Sequence, residues 1–172
     1  MALRPPYSPS RYDKHFCLKP PALLWAALFY LSRAITLPVV LGLTSLAGTL
    51  AGEKADIRSI FEPVLDLYSL PPSLIAAAVL FALARRSPRA SSSTRWIWAH
   101  GRMLLAASAA LDLVLVVVST PLGHGEITEQ TKLPLLAVIF DLYFFAYILS
   151  ARHVRAVFSD FPDPAPAAGT SK

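Results

Sequence analysis

Three charged side chains interrupt the long apolar stretches of this sequence, and their types could do chemistry. They are Arg33, Asp112 and Asp141. Counted at about 1.5 Å per helical residue, each lies about 14–16 Å from an end of its stretch. A hydrocarbon layer about 30 Å thick would place all three near its middle. Because an unpaired charge there costs at least about 2.5–3.5 kcal/mol, we expect the arginine to lie between the two carboxylates.

This charge trio has two interpretations. In the structural one, a buried ion pair fixes helix register and assembly, and it reaches a partner protein. In the functional one, a single base neutralises only one of the two acids. The second acid, Asp112 or Asp141, would then carry a proton or another cation. We prefer the structural interpretation from sequence.

Polar or small side chains share helix faces with these charges. Tyr30 and Thr36 lie three residues to either side of Arg33, where they could exchange hydrogen bonds with a carboxylate or the guanidinium. Ser108 lies one turn before Asp112, on a face of small residues that lets helices approach closely. We therefore predict that these three neighbours belong to the same site.

No other residue pattern points to catalysis, a cofactor or a metal. The single cysteine, Cys17, excludes an internal disulfide and a four-thiolate metal site. His100 and His153 fall at predicted span ends, whereas haem ligands in helical bundles lie in the bundle core. The sequence contains no phosphate-binding loop, nucleophile elbow or zinc-protease helix. We predict no enzyme activity, no cofactor and no metal.

The composition indicates a protein of the lipid bilayer. Of 172 residues, 55% are apolar and 16% are charged, and the mean hydropathy is +0.51. Soluble domains average about 45–50% apolar and about 25% charged residues. The net charge of +5 comes from basic residues beside the apolar stretches, not from a patch with interleaved aromatics. We therefore expect lipid, and no nucleic acid, as a partner.

Four apolar stretches are long enough to cross a bilayer, which needs about 20 helical residues. The predicted fold class is all-α, an integral membrane four-helix bundle within residues 22–155. Its spans are predicted at about 22–46, 64–84, 98–120 and 133–151. The second is the least regular, because Pro71-Pro72 lies inside it and removes hydrogen-bond donors.

The basic residues predict the orientation of these spans. Twelve of the sixteen Lys and Arg residues lie in residues 1–21, in residues 85–102 between and at the margin of spans two and three, or after span four. Basic residues concentrate in short cytoplasmic loops, so we expect both termini in the cytoplasm. Residues 1–21 would form a cytoplasmic N-terminal segment, and the proline-rich residues 156–172 a disordered cytoplasmic tail.

The loop between the first two spans has apolar residues at three- and four-residue spacing from Ile57 to Tyr68. This spacing fits a short amphipathic helix on the outer surface. It fits equally well an outward extension of the second span. Both alternatives stay open from sequence.

The opening of the chain carries a family resemblance. It reads Tyr12-Asp13-Lys14-His15, then Leu18-Lys19-Pro20-Pro21, Leu24-Trp25 and Leu31-Ser32-Arg33. This string resembles the start of the DUF2919 family, a group of small proteins of the bacterial inner membrane. The resemblance covers roughly residues 10–155. The resemblance implies that location and no particular activity. It also suggests that the motif is more than a leader, lying on the cytoplasmic face with the prolines setting the first helix's start. Its members are Tyr12, Asp13, Leu18, Pro20 and Pro21.

From these patterns we predict a non-catalytic accessory or assembly subunit of an inner-membrane complex. It would bind a partner membrane protein, or a second copy of itself, through small-residue surfaces and the basic cytoplasmic loop. The alternative is a small proton-coupled or ion-conducting membrane protein that uses Asp112 and Asp141, with Arg33 as the counter-ion.

Overall fold

The computed structural model describes residues 8–13, 17–50, 69–119 and 129–162. These ranges hold helices and no strand beyond one isolated bridge, so the all-α class is confirmed for them. The helices are α1 (Ala22–Leu31), α2 (Arg33–Leu50), α3 (Leu70–Ala84), α4 (Ser92–Ser119), α5 (Glu129–Ser150) and α6 (Arg152–Ser159).

Helix α4 is the centre of the described fold, with α3 and α5 packed against it along their lengths and α1 crossing α3 and α4. In α1 the buried residues recur at three- and four-residue spacing, which gives the helix one core-facing stripe. The core beneath it includes Leu24, Leu28, Val79, Leu105 and Ile148, all fully buried.

The first predicted span, 22–46, is not one straight helix. The helix breaks at Ser32, and α1 and α2 meet there at a bend of 88°. The Ser32 hydroxyl donates to the Leu28 carbonyl at 2.7 Å, a local bond that competes with helix continuation. Across the break, the Ser73 hydroxyl of α3 donates to the Leu31 carbonyl at 2.9 Å and accepts from the Ala34 N–H at 3.3 Å. Ser73 therefore satisfies backbone groups on both sides of the bend.

The second predicted span, 64–84, corresponds to the shorter helix α3. Pro71 and Pro72 lie in its first turn, where no helical N–H bond is lost. The prolines therefore lie at the start of this helix and do not interrupt its middle. The alternatives for 57–68, and the start of the predicted span, lie outside the described residues.

The last two predicted spans differ from the structure at their ends. Helix α4 begins at Ser92, ahead of the predicted 98–120, and α5 runs over Glu129–Ser150 instead of 133–151. After Ala151 the chain bends by 65° into α6.

Helix α6 corrects the predicted tail of 156–172. It buries Val154, Val157 and Phe158 at helical spacing, and the described chain continues in contact with the fold to residue 162. The proline content of this region predicts disorder, but it does not reveal this short apolar stripe. Residues 163–172 lie outside the described ranges.

Among the described helices, α4 alone is long and apolar enough to cross a bilayer by itself. The bent pairs α1–α2 and α5–α6 each meet the same criterion when their helices are taken together, which gives up to three such segments. Helix α3 is apolar but has only 15 residues. These lengths are compatible with a membrane protein.

Candidate functional site

The break between α1 and α2 presents the first charge of the trio to α4. Arg33 is the first residue of α2, and its Nη1 lies 2.6 Å from Asp112 Oδ2 in a salt bridge. The Asp112 side chain is 1% exposed and that of Arg33 is 12% exposed. The two residues are 79 positions apart in sequence, so this buried pair joins α2 to the middle of α4.

Tyr30 holds the other side of the guanidinium. The Arg33 guanidinium carbon lies 4.6 Å from the centre of the Tyr30 ring, and Arg33 Nη1 donates to the Tyr30 carbonyl at 3.4 Å. That carbonyl belongs to the last turn of α1, where unpaired carbonyls favour a cation. The Tyr30 hydroxyl donates to the Ala137 carbonyl of α5 at 3.1 Å. Tyr30 therefore connects the arginine to α5.

Asp141 of α5 completes the trio and is its least satisfied member. Its side chain is 0% exposed, and neither carboxylate oxygen has a hydrogen-bond partner among the described residues. The Tyr30 hydroxyl and the Asp112 carboxylate lie close to it but outside hydrogen-bond geometry, and the Arg33 guanidinium acts on it electrostatically. The Asp112 Oδ1 oxygen also has no hydrogen-bond partner in the described chain. Buried polar atoms without partners are uncommon in folded proteins, so three in one cluster call for an explanation.

Two predicted neighbours of the trio have other hydrogen-bond partners. The Thr36 hydroxyl donates to the Ser32 carbonyl at 3.1 Å, one turn back on its own chain. The Ser108 hydroxyl donates to the Pro72 carbonyl of α3 at 2.8 Å. Hydroxyls on helices often choose such carbonyls, and the spacing along one helix could not reveal this. Of the three predicted neighbours, only Tyr30 is seen to contact a charge of the trio.

The structure also shows a second polar cluster, which sequence reasoning missed. We call it the cap and define it by Leu18, Arg86, Trp98 and Asp160. Arg86 Nη1 donates to the Leu18 carbonyl at 2.9 Å, and its Nη2 donates to the Asp160 carbonyl at 2.7 Å. The guanidinium carbon lies 4.8 Å from the Trp98 ring centre, and Trp98 Nε1 donates to the Asp160 carbonyl at 3.0 Å. The cap joins four separate parts of the chain.

The predicted N-terminal motif is organised around this cap. Tyr12 and Leu18 form an antiparallel bridge, and the Asp13 carboxylate accepts from the Cys17 N–H at 3.0 Å. Pro20 follows, and Pro21 is the residue at which α1 is capped. The structure thus brings Tyr12, Asp13 and Leu18 together and puts the prolines at the start of α1, where the sequence predicted them.

Two more arginines of the basic loop bind backbone carbonyls of this chain. Arg95 donates to the Pro88 carbonyl at 2.8 Å and to the Pro162 carbonyl at 3.3 Å. Arg102 donates to the carbonyls of Ile148 and Leu149 at 3.1 and 2.5 Å, which stabilises the end of α5 before its bend. In the sequence these residues are visible only as positive charges. A guanidinium has five N–H donors. Here several of them bind backbone carbonyls of the same chain, which a count of charges does not show.

Cys17 lies beside the cap and is 3% exposed. Burial raises the pKa of its thiol to about 11, and the nearby Asp160 carboxylate acts in the same direction. The Arg86 guanidinium opposes this effect in part. The thiol is therefore protonated at neutral pH and a poor nucleophile.

The described residues contain no group of three or more His, Cys, Asp or Glu side chains that could hold a metal ion. The predicted absence of a metal and of a cofactor stays a prediction.

Comparison with known proteins identifies a family. The family model "Protein of unknown function (DUF2919)" matches residues 7–160, which confirms the resemblance drawn from the opening string. No curated protein and no solved structure matches the chain.

Proposed function

The chain belongs to the DUF2919 family, and from its buried charges we propose that it is a non-enzymatic, ion-coupled protein of the bacterial inner membrane. Arg33, Asp112 and Asp141 would form the ion-binding site, at which a proton or another cation binds and is released. The proposal includes several membrane crossings with both termini in the cytoplasm.

One observation carries the proposal, namely the burial of Asp141 without a hydrogen-bond partner among the described residues. Ionisable side chains within membrane helices are costly and are associated with ion and proton pathways. A purely structural ion pair needs one acid for Arg33, and Asp112 already provides it. The second acid is an additional cost to folding that an ion-binding role explains.

Because the trio is buried, we prefer ion binding to the accessory role that the sequence alone favours. The accessory interpretation let the ion pair reach a partner protein. Asp112 and Asp141 are 1% and 0% exposed within the single chain, so their contacts with a partner would require the bundle to open. The geometry therefore favours ion binding within the chain.

The cap supports the proposed topology. The Leu18 N–H donates to Asp160 Oδ2 at 2.6 Å, and Arg86 binds the backbone of both residues. The N-terminal segment, the α3–α4 connection and the C-terminal segment meet there, which supports a topology with all three on one side of a bilayer. An even number of crossings before Arg86 and an even number after it satisfy this condition. The predicted four spans would give two crossings on each side of Arg86. The abundance of Lys and Arg on this side favours the cytoplasm.

The accessory or assembly role stays as a second candidate, favoured by the exposed surface of α2. Val39, Val40 and Leu43 are more than half exposed, and a Cβ added at Gly42 would meet nothing within 4 Å. A partner helix could approach closely along this surface. Purification in a mild detergent followed by mass spectrometry tests this candidate. A stoichiometric membrane partner that is lost when Val40→Lys is introduced would support it.

Ion flux into proteoliposomes tests the first candidate. Protein-containing vesicles with a trapped pH dye would report proton entry, and a radioactive tracer would report Na⁺ entry. We expect flux above that of empty vesicles, and Asp141→Asn should reduce it to their level. Asp13→Asn is the matched control, because the amide oxygen can still accept from the Cys17 N–H. Equal flux in vesicles with and without the wild-type protein would reject this function.

A further inference from the structure

We propose that Asp112 and Asp141 share one proton, and that Arg33 occupies the place where a metal cation would otherwise balance their charge. The ion bound at the site is then a proton and not a metal ion. The inference rests on the proposed function, because both assign ion binding to the same side chains.

The count of charges around Asp141 calls for one more positive charge. Tyr30 of α1, Arg33 of α2 and Asp112 of α4 surround it. Helix α3 has no ionisable side chain, and α5 adds only Tyr143 and Tyr147 near Asp141. The guanidinium is always protonated, and neutral tyrosines add no charge, so one carboxylate stays unbalanced. One bound proton makes the cluster neutral.

Three acceptor atoms of the same cluster receive no hydrogen bond from the described residues. Arg33 Nη1 is used by Asp112 Oδ2 and the Tyr30 carbonyl, and the Tyr30 hydroxyl is used by Ala137. Asp112 Oδ1 and both oxygens of Asp141 are acceptors without donors among the described residues. A proton on either carboxyl group converts one acceptor into an O–H donor, and the facing carboxylate can accept from it. The step is reversible binding of H⁺ to a carboxylate, with no other bond made or broken.

The same geometry disfavours a metal ion. Hard cations such as Ca²⁺ and Mg²⁺ take about six or more oxygen ligands. The cluster has three carboxylate oxygens without partners, and the Arg33 guanidinium repels a second cation beside them. Proton binding needs only one donor and one acceptor atom, and the two carboxyl groups supply both.

Infrared spectroscopy of the full chain in nanodiscs tests the inference. The C=O stretch of a protonated carboxyl group is separate from the carboxylate bands, and it shifts in D₂O. At neutral pH the wild type should show such a band, and addition of NaCl, KCl or MgCl₂ at constant ionic strength should leave it unchanged. Its absence, or its loss when one of these cations is added, would overturn the inference.

Two variants assign the band without removing the arginine. Asp141→Asn and Asp112→Asn each leave one acid for one base, so the band should be lost in both. Asp13→Asn should keep it. Circular dichroism and gel filtration would show whether each variant is folded; if both fail to fold, the cation test on the wild type still decides. A band that persists in folded Asp141→Asn and Asp112→Asn would contradict the shared proton.

The two proposals can fail separately. A band with the expected behaviour in a protein without ion flux would reject ion coupling and leave the shared proton in place. Flux of Na⁺ that depends on Asp141, in a protein without the band, would keep ion coupling and reject the proton.

Discussion

The Leu18 N–H and the Asp160 carboxylate form a hydrogen bond of 2.6 Å between residues that are 142 positions apart. Arg86 binds the carbonyls of the same two residues. The two end segments of the described fold are therefore held together by few atoms at the cap. The contribution of each atom can be measured.

Replacing Asp160 by alanine should lower the free energy of unfolding by about 1–2 kcal/mol. Hydrogen bonds to charged groups contribute about 1.5–3 kcal/mol, and the lower part of that range applies because the side chain is 35% exposed. Asp160→Asn is the matched control, because its amide oxygen can still accept from Leu18. In thermal unfolding in a mild detergent, the melting temperature should be highest for the wild type, lower for Asp160→Asn and lowest for Asp160→Ala. Equal stability of wild type and Ala would show that this bond is not a support of the cap.

The bend between α1 and α2 should depend on one hydroxyl. Ser73→Ala leaves the Leu31 carbonyl and the Ala34 N–H without their side-chain partner, and a buried unsatisfied group costs about 1–3 kcal/mol. The exposed Ser150, which bonds only within its own helix, is the control for the same change. Denaturant unfolding should show a clear loss for Ser73→Ala and almost none for Ser150→Ala. The opposite order would mean that Ser73 does not stabilise the bend.

Two glycines in helices should respond in opposite ways to alanine. A Cβ at Gly101 would lie 2.5 Å from the Phe158 ring of α6, so Gly101→Ala should destabilise by about 1–3 kcal/mol through overpacking. A Cβ at Gly42 would meet nothing within 4 Å, and alanine is the better helix former by about 1 kcal/mol. Gly42→Ala should therefore be neutral or stabilising. Melting temperatures of the two variants compare them directly, and a stabilising Gly101→Ala would contradict the packing of α6.

The Cys17 thiol should be protected from alkylation at neutral pH. Its pKa is raised from 9.0 to about 11, so the folded state holds the proton more tightly than the unfolded state does. The stabilisation is complete below about pH 9 and is lost as the pH rises from there to about 11. Iodoacetamide labelling of native and denatured protein, followed by mass spectrometry, checks the protection, and denaturant unfolding at increasing pH checks the loss of stability. Equal labelling rates at neutral pH would show that the thiol is not buried.

The trio can be predicted from the sequence because single charged residues within apolar stretches can be recognised without a structure. The depth of Arg33 and Asp112 indicated an interior pair, which the structure places at 2.6 Å. The sequence could not predict which acid would pair with the arginine, because that depends on the bend at Ser32. Hydropathy counts treat 22–46 as continuous, whereas the hydroxyl of Ser73 on another helix supports the break.

The cap was beyond sequence reasoning for a similar reason. Arg86 and Trp98 fit the usual pattern of basic and aromatic residues at a membrane boundary, so composition explained them without any partner. Their main partners are backbone carbonyls, which every residue has and no residue type signals. Helix α6 was missed because two helical turns are too short for a composition average to detect.

Counting the protons that one chain releases is the most direct test of the carboxyl pair. The purified protein in weakly buffered nanodiscs would be titrated with base from acid to mildly alkaline pH, beside Asp141→Asn and the control Asp13→Asn. We expect the wild type to release one proton per chain more than Asp141→Asn, and to release it above the pH range in which ordinary carboxyl groups titrate. Asp13→Asn leaves the trio intact, so it should keep that additional release. Equal proton release by wild type and Asp141→Asn above that pH range would contradict ion binding at this site.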